Sequence, residues 1–176
     1  MNIITKEKIK TERLELRPFV EANENRLVYL LTNDEITKTF MVPTYETEEE
    51  YHELAQKLIA FSQPNDTKHF EYGVFLDDTL IGFVNDCGFN DFEIEIGYVM
   101  DPAYKGKGYT TEAVKALIPF LFQMGFKKIS AGFFLGNEGS KRVIEKVGMH
   151  PSGIIEDEEY RGQIHKCIYY EIENND

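Results

Sequence analysis

A glycine-rich loop, Lys105–Thr110, has the residue types of an anion-binding site. Gly106 and Gly108 leave space for a ligand close to the backbone, and a helix that begins after them presents free amides and the positive end of its dipole. The spacing matches neither the dinucleotide fingerprint, which needs a third glycine, nor the pattern G-x-x-x-x-G-K-[ST]. The loop therefore predicts a phosphorylated ligand that is held in another way. The candidate residues are Lys105, Gly106, Lys107, Gly108, Tyr109 and Thr110.

Charge is distributed unevenly along the chain. Residues 102–149 carry a net charge of +5, whereas the whole chain of 176 residues stands at −12. A basic segment in an acidic protein favours a polyanionic ligand. The acidic remainder disfavours nucleic acid as a partner and favours a cationic substrate.

Local patterns place the loop between a strand and a helix. Glu93–Met100 alternates polar and apolar residues as a half-buried strand does, and apolar residues recur at helical spacing over Ala113–Met124. Upstream, Thr47 followed by Glu50 forms a capping-box pattern that predicts a second N-terminal helix. Downstream, Asn137 is expected to cap a short helix.

Strand patterns account for much of the remaining chain. An antiparallel meander is expected over residues 70–76, 80–87 and 93–100, followed by a strand over 128–134. A closing hairpin is predicted over residues 154–159 and 164–172, which flank the turn residues Arg161-Gly162. The length and composition fit one domain over residues 1–176.

Several classes of protein do not fit this sequence. We expect a cytoplasmic protein without membrane contact, because the first residues lack the apolar core of a signal peptide and no run reaches about 20 apolar residues. Cys87 and Cys167 fall in strand-like runs and are expected to be buried free thiols. No spacing of cysteine and histidine predicts a metal site.

Three separated motifs resemble one known family. They are T-E-R-L-E-L-R-P at 11–18, E-I-G-Y-V-M-D-P-A-Y-K-G-K-G-Y-T-T-E-A at 95–113 and N-E-G-S-K-R-V-I-E-K-V-G-M at 137–149. With these motifs the chain resembles the GNAT superfamily of acyl-CoA N-acetyltransferases, and within it the RimJ/RimL-like branch that includes ribosomal-protein N-terminal acetyltransferases. The resemblance implies an α/β (α+β) fold with a mixed, mostly antiparallel central sheet, splayed middle strands and flanking helices.

The same resemblance implies that acetyl-CoA is the co-substrate. Its pyrophosphate would bind the amides of Lys105–Thr110, and its pantetheine arm would lie between the splayed strands like an added strand. Asn137 would bond this arm or only cap its helix, and both roles are compatible. The cofactor residues implied outside the loop are Tyr98, Val99, Met100, Asn137, Ser140 and Lys141.

Acyl transfer to an amine needs a neutral amine, a stabilised oxyanion and a proton for the leaving thiolate. Glu95 is the candidate base, and Glu93, two residues earlier on the same face, is its rival. The alternative is that both carboxylates only solvate the strand. The backbone amide near Val99 is the expected oxyanion donor. By resemblance Ser140 would supply the proton, although it would equally suit the first turn of a helix.

The expected activity is N-acetylation of a primary amine, either a protein N-terminus or a small cationic molecule such as a polyamine or an aminoglycoside. The candidates for the acceptor site are four aromatic residues and one acidic run: Tyr45, Phe89, Tyr160, Tyr169 and Glu156–Glu159. The alternative is a non-catalytic protein that binds acyl-CoA as a sensor or partner subunit. The sequence leaves open whether the protein is a monomer or a homodimer.

Overall fold

Eight strands form one sheet in the computed structural model, which describes residues 3–176. Their order across the sheet is β1-β2-β3-β4-β5-β6-β8-β7. Only the β5–β6 pair is parallel among the strands of the described chain, which confirms the mixed, mostly antiparallel sheet. The strands are β1 (Ile9–Lys10), β2 (Glu15–Arg17), β3 (Glu71–Leu76), β4 (Thr79–Phe89), β5 (Glu93–Met100), β6 (Lys128–Phe134), β7 (His150–Tyr160) and β8 (Gln163–Glu173).

The helices begin where the capping residues predict. Thr47 and Glu50 form the expected capping box before α3, and the Asn137 side chain accepts a hydrogen bond from the Ser140 amide at the start of α5. The segment before α3 contains two helices, because Asn33 ends the first and caps the second. The helices are α1 (Glu24–Thr32), α2 (Asp34–Thr37), α3 (Glu48–Phe61), α4 (Tyr109–Gln123) and α5 (Glu138–Lys146).

The sheet separates two apolar clusters. Val84 faces the cluster that includes residues of α4 and α5, whereas the adjacent Phe83 faces the cluster that includes residues of α1 and α3. Side chains alternate in the same way along β5, where Met100 faces α4 and Val99 faces α1. Each face of the central strands is therefore covered by its own set of helices.

The two middle strands separate after a short pairing, as expected. β5 and β6 pair only from Glu93 with Lys128 to Glu95 with Ser130. Beyond that point β5 stays paired with β4 as far as Met100, and β6 stays paired with β8 as far as Phe134. The chain thus contains a wedge-shaped gap in the middle of its sheet, with unpaired strand edges on both sides.

The two cysteines occupy different environments. Cys167 on β8 is buried, as expected, but Cys87 is exposed, which corrects the expectation for that residue. The register of β4 against β5 shifts between Asp86 and Gly88, so that Cys87 lies in a bulge.

Within residues 3–176, the helices are too short or too polar to cross a bilayer. The same part of the chain contains no group of three or more histidine, cysteine or acidic side chains arranged to hold a metal ion.

Candidate active site

A cavity of about 1670 Å³ occupies the gap between β5 and β6. Its walls come from both faces of the sheet, since they include Glu95 on the α1 side and Tyr109 of α4 on the other. Most of the predicted cofactor residues lie on these walls. They are Tyr98, Val99, Met100, Lys105, Gly106, Gly108, Tyr109, Thr110, Asn137 and Ser140.

The glycine loop has the conformation that the sequence predicts for an anion site. Gly106 and Gly108 have φ angles of +76° and +79°, in the left-handed region that favours glycine. Gly108 directly precedes the first residue of α4, so the first amides of that helix face outward. Among residues 3–176, apart from Gly106 and its two chain neighbours, no atom lies within 4 Å of the position that a Cβ on Gly106 would occupy. A phosphate can therefore approach this backbone closely.

Buried and exposed ion pairs hold the start of the loop. Asp101 is buried, accepts a hydrogen bond from the Ala103 amide, and forms an ion pair with Arg26 of α1. Lys105 Nζ lies 3.2 Å from a carboxylate oxygen of Glu35 on α2. The loop is thus attached to the N-terminal helices.

Two lysines predicted in the cofactor site do not line the cavity. Lys107 instead lies over the ring of Tyr104, with Nζ 5.9 Å from the centroid. Lys141 is 3.9 Å from a carboxylate oxygen of Glu145 on the same helix. The basic residues of α5 on the wall are Arg142 and Lys146, which sequence reasoning did not select. Arg142 and Lys146 are four residues apart, so they share one face of the helix, and this spacing was the signal in the sequence that could have identified them.

The backbone of β5 narrows the choice of the oxyanion donor predicted near Val99. The Val99 carbonyl oxygen lies against Gly82 of β4, where a Cβ would collide with it, and the Asp101 amide donates to Ile81 on the same strand. Backbone groups of successive residues point to opposite edges of a strand. The amides of Tyr98 and Met100 therefore face the gap, whereas that of Val99 faces β4.

A hydroxyl pair lies on the α4 and α5 side of the gap. The Tyr98 hydroxyl and Ser140 Oγ are 2.6 Å apart, and Asn137 accepts from the Ser140 amide at 3.2 Å. Burial raises the pKa of Tyr98 to about 12, so its hydroxyl keeps its proton at neutral pH. Ser140 lies in the first turn of α5 and also lines the cavity, so its position is compatible with both roles considered for it.

The two candidate bases are in different positions. Glu95 lies on the cavity wall at the point where β5 and β6 part. Glu93 is not on this wall, and its carboxylate forms a 2.6 Å ion pair with Lys128 of β6. The structure thus brings Glu95, and not Glu93, to the gap.

The surroundings of Glu95 favour its protonated form. Burial raises the pKa of Glu95 above its ordinary value, and the negative charges of Glu156 and Glu158 on β7 raise it further. Among the described residues, no hydrogen bond or ion pair to the Glu95 carboxylate offsets these effects. Its environment is that of a carboxylate that takes up a proton more readily than an ordinary glutamate does.

Of the four aromatic residues predicted for the acceptor site, two line the cavity and two pack elsewhere. Tyr160 and Tyr169 line the cavity, and the Tyr160 hydroxyl donates to the Thr37 carbonyl at 2.6 Å, which joins the closing hairpin to α2. Phe89 packs against the core beside α4, and Tyr45 packs edge-on against Tyr51, so neither reaches the cavity. Wall residues that the sequence did not reveal include Thr39, Asn85, Arg161, Gln163 and His165.

Comparison with known proteins agrees with this geometry. A family model described as "Acetyltransferase (GNAT) domain" matches residues 13–150. The "Probable N-acetyltransferase YjcK" of Bacillus subtilis (strain 168) is 38% identical over 93 residues, an alignment that covers 49% of this chain and 51% of that relative. The chain therefore spans about half the length of this curated relative.

Two solved structures share the fold over nearly the whole chain. An acetyltransferase (GNAT family) from Bacillus anthracis superposes with a TM-score of 0.80 at 27% identity, covering 95% of this chain and 98% of that one. RimL, a ribosomal L7/L12 α-N-protein acetyltransferase in complex with coenzyme A, superposes with a TM-score of 0.82 and the same coverage of 95% and 98%. At 20% identity, the second comparison concerns the fold alone.

Proposed function

Because this chain belongs to the GNAT acetyltransferase family, we propose that it transfers an acetyl group from acetyl-CoA to a primary amine by direct attack on the thioester. The observation that carries this proposal is the gap between β5 and β6. It joins the glycine loop to the Tyr98–Ser140 pair on one face and to Glu95 on the other.

The donor half of the gap suits coenzyme A in charge and shape. The diphosphate would bind the amides from Gly106 to the first turn of α4, and Arg142 and Lys146 add positive charge to the same wall. The pantetheine arm would pair with the free backbone groups of Tyr98 and Met100. The thioester would then lie beside the Tyr98–Ser140 pair.

In the acyl transfer, Glu95 removes a proton from the acceptor, directly or through one water. This step is needed because an α-amino group has a pKa of about 7.7 to 8.0 and a lysine-like amine about 10.4. The nitrogen lone pair attacks the thioester carbon, and the oxyanion accepts a hydrogen bond from whichever gap-facing amide of Tyr98 or Met100 the pantetheine arm leaves free. When the C–S bond breaks, the thiolate takes the proton of Ser140 Oγ, and the second proton that the nitrogen loses as the amide forms returns to the Ser140 oxygen, directly or through one water. The Tyr98 hydroxyl, 2.6 Å from Ser140 Oγ, can donate to that oxygen during the transfer.

The acceptor half of the gap favours a cationic amine. Burial and the nearby charges of Glu156 and Glu158 raise the pKa of Glu95, and the negative charge of these carboxylates would attract a cation to this side. We propose a protein or peptide N-terminus first, and a small cationic amine such as a polyamine or an aminoglycoside second. The similarity in fold to a ribosomal-protein α-N-acetyltransferase supports this order.

Release of the free CoA thiol from acetyl-CoA tests the proposal with a panel of acceptors: peptides with different first residues, a polyamine and an aminoglycoside. We expect turnover with at least one of them. Glu93→Gln is the matched control for Glu95→Gln, because both carboxylates lie on the same strand face but only Glu95 reaches the cavity. CoA binding with no turnover of any acceptor would favour the non-catalytic alternative. A folded protein that neither binds CoA nor turns over would contradict the proposal.

A further inference from the structure

We infer that Arg13 is a positioning residue for the donor site, which neutralises Glu112 and fixes the glycine loop in the shape that binds the CoA diphosphate. This inference rests on the proposed function, since it takes the loop at Lys105–Thr110 as the diphosphate site. It assigns a role to the N-terminal motif at residues 11–18, which the acyl-transfer mechanism does not use.

Arg13 contacts the loop and its helix at the same time. Its guanidinium donates through Nη1 to the Lys107 carbonyl at 2.9 Å and through Nε to Glu112 Oε2 at 2.7 Å. A second guanidinium nitrogen, Nη2, lies 2.7 Å from the same carboxylate oxygen. The guanidinium carbon also lies 4.4 Å from the centroid of the Tyr109 ring, which is on the cavity wall. One side chain thus joins the middle of the loop to the first turn of α4.

The second oxygen of Glu112 is held just as firmly. Oε1 accepts from the Arg13 amide at 2.8 Å and from the Thr11 hydroxyl at 2.6 Å. Although its partial burial favours the protonated form, these hydrogen bonds and the Arg13 charge keep the pKa of Glu112 below its ordinary value. The carboxylate is therefore ionised and fully engaged at neutral pH.

An ionised Glu112 would be unfavourable at an anion site if it were alone. The positive end of the α4 dipole attracts a diphosphate, but a carboxylate in the first turn of that helix occupies the same field and repels the ligand. The guanidinium of Arg13 cancels this charge and directs the carboxylate towards the N-terminal motif. The pair also restrains the loop before the ligand arrives, which lowers the entropic cost of binding.

Arg13 acts on the ligand through Glu112 and the loop. An effect of this kind can be distinguished from a general loss of folding stability. Its side chain is 41% exposed, so its removal leaves no large buried cavity. Arg17 provides a matched control on the same N-terminal segment. It pairs with Glu15 at 2.7 Å and stacks on Phe75, away from the loop.

The test is calorimetric titration of the full chain with CoA and with pantetheine, which lacks the diphosphate. We expect Arg13→Ala to weaken CoA binding about tenfold, because a charged hydrogen-bonded partner is lost and Glu112 remains. Arg17→Ala should leave it unchanged. Pantetheine binding should be the same in all three proteins. The double variant Arg13→Ala/Glu112→Gln should recover CoA affinity to within about threefold of the wild type, because the repelling charge is gone.

Three results would overturn the inference: unchanged CoA affinity in Arg13→Ala, an equal loss for pantetheine, or no recovery in the double variant. If Arg13→Ala does not fold, Arg13→Lys replaces it. This variant keeps the charge but loses the planar fork, so an intermediate loss of CoA affinity is expected, and no loss would count against the inference. A wild-type protein that does not bind CoA would contradict the proposed function itself, whereas the three results above leave it intact.

Discussion

The donor and acceptor halves of the gap are built in different ways. The donor half comes from a nearly continuous stretch, from β5 through the loop to α5, and its main groups are backbone amides. The acceptor half combines α2, the end of β4 and the β7–β8 hairpin, which are far apart in the sequence, and its main groups are side chains. A ligand common to a whole family can be bound by backbone geometry, whereas the choice of acceptor depends on side chains. The two halves should therefore respond differently to substitution.

Glu95→Gln should have the largest effect and should separate the two halves most clearly. Because this variant removes the general base, kcat/KM is expected to fall by about 10² to 10⁴. The Kd for CoA, measured by calorimetry, should not change, since the Glu95 side chain points away from the donor half. Glu93→Gln should stay near the wild-type rate. A similar loss in both variants would contradict the assignment of the base.

Ser140→Ala removes the proposed proton donor from the other side of the gap. The kcat is expected to fall by about 10² while the Kd for CoA stays the same, because the hydroxyl acts only when the thiolate leaves. Tyr98→Phe should cost less, since it removes only a hydrogen bond to Ser140. Combining the two should add little to the serine variant alone, because the hydroxyls act as a unit. Steady-state kinetics of the four proteins would measure this, and fully additive losses would argue against a relay.

Gly108→Ala tests the donor half through its backbone. A non-glycine residue at a φ of +79° costs roughly 1–2 kcal/mol, so the loop should relax and the Kd for CoA should rise about tenfold. The KM for the acceptor should not change. Gly153→Ala is the control, because Gly153 also has a positive φ, of +85°, has room for an added Cβ, and lies on β7 outside the cavity wall. If both variants bind CoA equally well, the loop conformation is not what holds the diphosphate.

The smallest expected effect concerns the pH profile of the acceptor half. Burial and the charges of Glu156 and Glu158 raise the pKa of Glu95, so the active carboxylate form is lost at a higher pH than for an ordinary glutamate. Replacing Glu156 and Glu158 with glutamine should lower this pKa and move the acid limb of kcat/KM to lower pH. At neutral pH the rate should change little.

Glu159→Gln on the same hairpin serves as the control for this profile, because its charge is not among those that raise the pKa of Glu95. An acid limb that stays in place in the double glutamine variant, or moves as much in the control, would show that another group controls it.

The parts that were predictable from the sequence are those fixed by local backbone chemistry. Gly106 and Gly108 adopt the left-handed conformation, and Asn137 caps α5, because each depends on neighbours within a few residues. The separation of β5 and β6 was expected from the family resemblance and is confirmed by their short pairing.

The remaining features depend on which segments meet in space. Glu93 and Glu95 share a strand face, so only the point where β6 departs distinguishes them. The oxyanion donor was predicted only as an amide near Val99, because an alternating pattern fixes the face of a side chain but not the edge to which its backbone points. Glu112 and Arg13 are separated by 99 positions, and no local pattern links them.

The gap also has a consequence for the order of events in a catalytic cycle. Its walls come from both faces of the sheet, so under the proposed function the cofactor and the amine need not share an entrance. Spent CoA can leave and a fresh acetyl-CoA can enter while a bulky acceptor remains in place on the opposite side. Such a passage permits random-order kinetics, in which neither substrate has to wait for the other to depart.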